Sequence, residues 1–317
     1  MKFINRPKFL GCNLFFAILG VLIVLFGTPF SLERHPIVMV LNSNPSIEKY
    51  RTVHNEFKDA LGFPVIDVDI STEWMTKTRL QNKILDESPD VIFCIGSQAY
   101  LMANEIDPEG NIIFSMAINW KRFDLGKNSK GISMELNPQL ELFVFKYLFP
   151  DIKTIGMIYS EKFNREWVDL AVNSAKSMDI NLEVVSIDEV TQPLDSLKRI
   201  SDSIDAFWVI HDPLVLANKA TVVDLFSFLN ERKIPSFVYN KAFAGLGAAL
   251  VISPDLPTIG RQGAQYVESL VLGSKATDES VQIPAGSHLS VNLKVVSDFA
   301  LNFNEDGLHM VNEIIDE

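Results

Sequence analysis

The side chains able to do chemistry are dispersed along this sequence, and that dispersal limits what the chain can be. His35, His54, His211, His288 and His309 stand far apart, and no HxxxH or CxxC spacing pairs imidazoles or thiolates. A zinc-type ligand set is therefore not written into the pattern. Cys94 sits inside the apolar run "DVIFCIG" (Asp90–Gly96), where a thiol is expected to pack in a core rather than to attack a substrate. The other cysteine, Cys12, falls in the N-terminal segment, which leaves the body without a pair for a disulfide. No nucleophile elbow and no pair of catalytic carboxylates stands out. Catalysis, a metal and a cofactor are therefore not expected.

What remains are binding groups at the ends of apolar runs. Asp212 follows "DAFWVIH" (Asp205–His211) and precedes a helical pattern. A carboxylate in that place either caps the helix or pairs with a ligand amine. Ser97 and Gln98 follow Asp90–Gly96, where the free N–H groups of a helix start either meet a ligand carboxylate or are simply capped. Asn42 and Ser43 end the first apolar run, and form either a cleft wall or an ordinary turn. Asn119 and Trp120 follow the fourth run; the indole either stacks on a ligand or packs at the rim. Tyr159 and Ser160 close the run that opens the second half of the chain.

One further stretch, "AALVISPDLPTIGRQGAQYVESLVLGSKA" (Ala248–Ala276), carries glycines at a strand-to-helix junction. Asp255 suits an N-cap, Pro257 the first turn and Gly273 the stop. Ile259, Gly263, Val267 and Leu270 share one face. Gly260, Gly263 and Ala264 keep it thin enough for a neighbouring backbone to come close. A phosphate cradle does not fit, because the glycines lie inside the helix and no GxxxxGK[ST] is present. "GLGA" (Gly245–Ala248) precedes its strand instead of following it, so it is no dinucleotide fingerprint.

The elements that must position these groups alternate. "PIVMVLN" (Pro36–Asn42), "PVIDVDI" (Pro64–Ile70), Asp90–Gly96 and Asn111–Ala117 read as strands, separated by helical patterns that include Trp74–Leu85 and Gln98–Glu105. After "KGISMEL" the pattern restarts with strand Thr154–Ser160. Helix Asn164–Met178, strand "NLEVVSI", helix Leu194–Ser201 and strand Asp205–His211 follow. A long helix over Leu214–Lys233 and strand Pro235–Asn240 complete the set. Strands alternating with helices of this length predict βαβ units and parallel sheets. Their continuous apolar character predicts cover on both faces. Two sets predict two lobes, with ligands held at the carboxyl ends of the strands.

At 317 residues, the chain has room for two domains. Its formal charge of −12, with no Lys/Arg block, argues against a nucleic-acid partner. Residues 1–35 differ from the rest: Lys2, Arg6 and Lys8 precede an apolar run from Leu14 to Phe26. A basic start before an apolar stretch reads as an export signal, or as an uncleaved anchor over residues 10–26. Either way the body is expected to be periplasmic or extracytoplasmic, with membrane contact only through that segment.

The second half resembles a known family. "IKTIGMIYSEKFNREWVDLAVNSAKSMDINLEVVSI", "DAFWVIHDPLVLANKATVVDLFSFLNERKIPSFVYN" and "GLGAALVISPDLPTIGRQGAQYVESLVLGSKA" are similar to ABC-transporter substrate-binding proteins of the type I periplasmic-binding-protein fold, in the branch of tryptophan and tyrosine binders. The D-x-x-x-x-G-R-Q start at Asp255–Gln262 and "VLG" at Val271–Gly273 are the most specific traits. The first half follows in its order of elements, including "IGSQAYLMA" and "GIS" at Gly131–Ser133. The resemblance implies an α/β protein with two Rossmann-like doubly wound lobes joined by three crossovers. Residues 36–133 plus 255–287 would form lobe 1, and 134–254 plus 288–317 lobe 2. It also implies a small polar ligand, with an amino-acid-like one favoured, in the interlobe cleft, and an ABC permease and ATPase as partners. Three loops depart from the family pattern. Gly96-Ser97-Gln98 stands for small-Thr-Pro, His211-Asp212-Pro213 for Thr-Asp-Asn, and Tyr239-Asn240-Lys241 for a loop with Ser-Asp, which puts Asn240 among the candidate ligand contacts. A membrane-anchored sensor lobe is the alternative role for the same fold, and an α/β enzyme a more distant one.

Overall fold

A computed structural model describes residues 35–273 and 279–316. The export or anchor reading of residues 1–35 lies outside the described residues, apart from His35. Among the described residues, no helix is long and apolar enough to cross a membrane. Pro36–Glu317 form one compact unit.

That unit is built on two sheets. The first holds β1 (Val38–Asn42), β2 (Val65–Asp69), β3 (Val91–Ile95), β4 (Ile112–Ser115), β5 (Lys130–Ile132) and β11 (Val281–Gln282), in the order β11-β5-β4-β3-β1-β2. The second holds β6 (Thr154–Tyr159), β7 (Asn181–Ser186), β8 (Ala206–Val209), β9 (Ser236–Val238), β10 (Leu250–Pro254), β12 (Ser287–Asn292) and β13 (Glu313–Ile315), in the order β13-β12-β10-β9-β8-β6-β7. The described pairings are parallel except β10 with β12, which run antiparallel.

Continuous apolar strands follow from cover on both faces. Val38 and Val40 pack into a core with Phe57, Phe93 and Ile259. Their neighbours Met39 and Leu41 point the other way, into a core with Leu80, Tyr100 and Phe114. The second sheet repeats the arrangement: Met157 and Trp208 face one core, Ile158 and Phe207 the other. Helices α1 (Glu48–Ala60), α2 (Lys77–Glu87), α3 (Ser97–Ile106) and α8 (Leu256–Val271) flank the first sheet. Helices α4 (Pro138–Leu148), α5 (Glu161–Ser177), α6 (Pro193–Ile200), α7 (Lys219–Glu231) and α9 (Leu293–Asp298) flank the second. These are the two doubly wound lobes expected. The chain passes between them three times: after β5, from β10 into α8, and between β11 and β12. The second and third passages are tied by Asp255 N–H donating to the Gly286 carbonyl at 3.0 Å.

Three helix starts differ from expectation by three residues or more. The helix expected from Asn164 begins already at Glu161, after Ser160. The helix predicted from Trp74 begins at Lys77, because Thr76 caps it by accepting from Arg79 N–H. The helix predicted from Leu214 begins at Lys219. Asp212 Oδ1 accepts from the N–H groups of Leu214 and Val215, which turns the chain locally. Asn218 then caps the helix through Thr221 N–H at 2.8 Å.

Candidate functional site

The carboxyl ends of strands from both sheets face a cavity of about 260 Å3. This volume lies just below the usual range for ligand pockets. From the first lobe come Lys49, in the first turn of α1, and Met116 and Ile118, in the loop after β4. That loop holds two left-handed residues, Met116 at φ 56° and Asn119 at φ 54°, a conformation uncommon for side-chain-bearing residues and concentrated at functional sites. From the second lobe come His211, after β8, and Tyr239, Asn240 and Lys241, after β9. The passages between lobes add Met134, Ser253, Pro254 and Leu256.

The polar groups of this wall have distinct states. His211 packs its ring on Tyr239, with centroids 3.4 Å apart. Its Nε2 is buried without a hydrogen-bond partner among the described residues. Burial lowers its pKa to about 3, against the Met134 carbonyl, which favours the protonated ring. The imidazole is therefore neutral at physiological pH. Burial raises the Tyr239 phenol to about 12, so it too is neutral. Lys241 is ion-paired with Glu313; that bond is the main reason the Glu313 pKa is lowered. Lys49 makes no ion pair among the described residues, and its ammonium lies 5.1 Å from the centre of the Tyr50 ring.

Behind this wall, a second cavity of about 20 Å3 has room for about one water. Glu141, Asn164, Trp208, His211 and Tyr239 line it. Burial raises Glu141 to about 8, the Trp208 indole lowers it and Glu135 raises it further. Glu141 is thus a protonated acid near neutral pH.

Of the residues proposed from sequence, Asn240 lines the larger cavity, and its Oδ1 also accepts from Ala242 N–H. Asn42 is taken up by its own turn: Oδ1 accepts from Asn44 N–H at 3.0 Å, and Nδ2 lies 3.1 Å from His54 Nδ1. Ser43 Oγ accepts from Ala99 N–H at 3.0 Å and so serves the start of α3. Ser97 and Gln98 open that helix. Asn119 precedes the short turn of Trp120, whose ring lies 6.2 Å from that of Phe114 and whose indole N–H is buried without a partner among the described residues. Tyr159 is buried at the end of β6. Asp212 is 1% exposed and its carboxylate is saturated. Oδ2 accepts from Ser160 N–H, Ser160 Oγ and Asn164 Nδ2 at 2.7, 2.8 and 2.8 Å, while Oδ1 accepts from Leu214 and Val215. The carboxylate fixes a local turn and holds Ser160 and Asn164, while the cap of the following helix is Asn218. Sequence reasoning left Lys49, Met116, Ile118 and Met134 out of the site. For Met116, Ile118 and Met134 the legible signal is a position within a few residues of a strand end; for Lys49 it is the first turn of the helix that follows β1.

Two Rossmann-like lobes with a lined cavity between their strand ends define the type I periplasmic-binding-protein class. The sequence profile described as "ABC transporter substrate binding protein" matches residues 71–315, and the chain belongs to that family. Three solved structures share the fold. A Streptococcus pneumonia domain in complex with L-Trp is 17% identical, covering 88% of this chain and 100% of its own, with TM-score 0.57. A ligand-free, open substrate-binding protein with adhesive properties from Clostridium difficile is 17% identical, covering 90% and 100%, with TM-score 0.64. A conserved domain protein from Vibrio cholerae is 19% identical, covering 89% and 100%, with TM-score 0.58. No curated protein matches the sequence.

Proposed function

We propose that this chain is an exported solute-binding protein. It captures a small, amino-acid-like ligand between its lobes and delivers it to the permease and ATPase of an ABC importer. The observation that carries this reading is the 260 Å3 cavity, which takes its wall from both lobes and from the passages between them. A solute bound there touches both lobes at once and so favours the closed arrangement. The proposed lobes are residues 36–133 plus 255–287 and residues 134–254 plus 288–317. Residues 1–35 act as signal or anchor, and the body is periplasmic or extracytoplasmic. Binding without catalysis fits a wall whose polar groups are neutral or ion-paired apart from the Lys49 ammonium.

A thermal-shift screen of the purified body against amino acids, organic acids, purines, sugars and short peptides tests capture. A ligand at a hundred times its Kd stabilises by about 2.7 kcal/mol, which shifts the melting point by several degrees. A screen without a single shift would sink solute capture. Alkaline phosphatase fused after Pro36 tests export separately: an active fusion is expected, and an inactive one places the body in the cytoplasm.

A further inference from the structure

Taking the interlobe cavity as the solute site, as above, we propose that it recognises an amino-acid-like ligand by its carboxylate and an apolar side chain, with Lys49 as the head-group partner, and makes no use of an ammonium group. Three observations converge. First, the carboxylate best placed by sequence to meet an amine, Asp212, spends both oxygens on five protein donors and does not line the cavity. Second, the charged residues of the cavity wall are Lys49 and Lys241, and no aspartate or glutamate joins them. Third, the rest of the wall is mainly apolar, with Met116, Ile118, Met134, Pro254 and Leu256 around the neutral Tyr239 ring.

The acids nearby are either paired or stand outside the cavity. Glu135 pairs with Lys121 at 3.2 Å. Glu313 pairs with Lys241. Asp255 accepts from Thr258 N–H at 2.9 Å, at the start of α8. Glu48 borders the adjoining outer groove with Thr52 and His288, not the cavity. His211 is neutral and adds no charge. A ligand ammonium would therefore leave water for a wall that offers it two cations and no carboxylate, an unfavourable exchange. A ligand carboxylate meets an ammonium that no protein acid neutralises among the described residues. Such charge-assisted hydrogen bonds are the strong ones.

Titration calorimetry on the purified body tests this with two series: 3-phenylpropionate, phenylalanine and phenethylamine; then indole-3-propionate, tryptophan and tryptamine. In at least one series the propionate should bind within tenfold of its amino acid, or more tightly, and the amine not measurably. Lys49→Gln, an exposed change in the first turn of α1, should weaken the propionate about ten- to hundredfold. It should leave 3-phenylpropanamide, which carries no charge, unaffected. In the series that bind, an amino acid more than tenfold tighter than its propionate in every one, an amine that binds, or a propionate indifferent to Lys49→Gln each overturns recognition by the carboxylate alone. If none of the six compounds binds, the apolar-carboxylate class is overturned. A hit elsewhere in the thermal-shift screen would then still support capture, which only an empty screen removes.

Discussion

Asp212 grips Ser160 twice, accepting from its backbone N–H at 2.7 Å and from its Oγ at 2.8 Å. The pair joins the end of β8 to the start of α5 in a site closed to water. Asn164 Nδ2 adds a bond to the same oxygen and another to the His211 carbonyl. Asp212→Ala would leave buried donors without acceptors, at about 1–3 kcal/mol for each group left unmade. The expected result is a loss of stability of roughly 3 kcal/mol or more in urea unfolding, with affinity nearly unchanged in the folded fraction. A variant that melts like wild type but binds at least tenfold more weakly would return Asp212 to the ligand.

Gly260 and Gly263 bring α8 against α1 and β3. A Cβ on Gly263 would lie 2.6 Å from Phe93 Cζ, and one on Gly260 would lie 2.7 Å from the Val53 carbonyl oxygen. The Phe93 ring is stacked on Phe57 with centroids 4.1 Å apart, so it has little room to yield. Gly263→Leu should cost about 1–3 kcal/mol by overpacking. Gly260→Ala should cost more than Gly263→Ala, because its obstacle includes backbone. The reverse order in thermal melts would show that α8 moves as a body.

Glu141 and His211 make stability depend on pH in opposite directions. Glu141 rises from an ordinary 4.5 to about 8, so between those values the folded state holds a proton that the unfolded state has lost. Its contribution is full below 4.5 and fades as pH rises through 8. His211 falls from an ordinary 6.5 to about 3, so between those values only the unfolded state holds the proton, and stability grows with pH. The two oppose each other between 4.5 and 6.5. From pH 6.5 to 8 Glu141 acts alone, and stability should fall by roughly 2 kcal/mol, at about 1.4 kcal/mol per pH unit. Urea midpoints at pH 6.5 and 8 measure this. Glu141→Gln should abolish the fall, and an equal fall in that variant would assign it to another group.

Three chain passages join the lobes, and the Lys121–Glu135 ion pair lies at the first. Lobes joined in this way close by rotation about a few residues. The radius of gyration from small-angle scattering should decrease at saturation with any solute confirmed by calorimetry. An unchanged radius at full occupancy would count against closure.

Much of the fold was legible because its causes are local. Strand and helix periods, Asp255 as the cap of α8 and the positive φ of 65° at Gly273 rest on residues a few positions apart. The long helix predicted from Leu214 failed for a distant cause: Asp212, fixed by Ser160 and Asn164, turns the chain before Asn218 can start the helix. The antiparallel β12 was equally hidden, since its direction depends on which strand it meets.

The sequence by itself determined that strands alternate with helices in two sets, that the strands are covered on both faces, and that the carboxyl ends of the strands carry the polar residues. Those properties follow from hydrophobic period and capping, which act over a turn or two of chain. Only the tertiary structure decided that Asp212 turns inward while Lys49, Met116 and Ile118 come to share one cavity with Tyr239, Asn240 and Lys241. That choice depends on how two sheets stand across three passages, and on which buried donors claim a carboxylate first; no spacing along the chain encodes either.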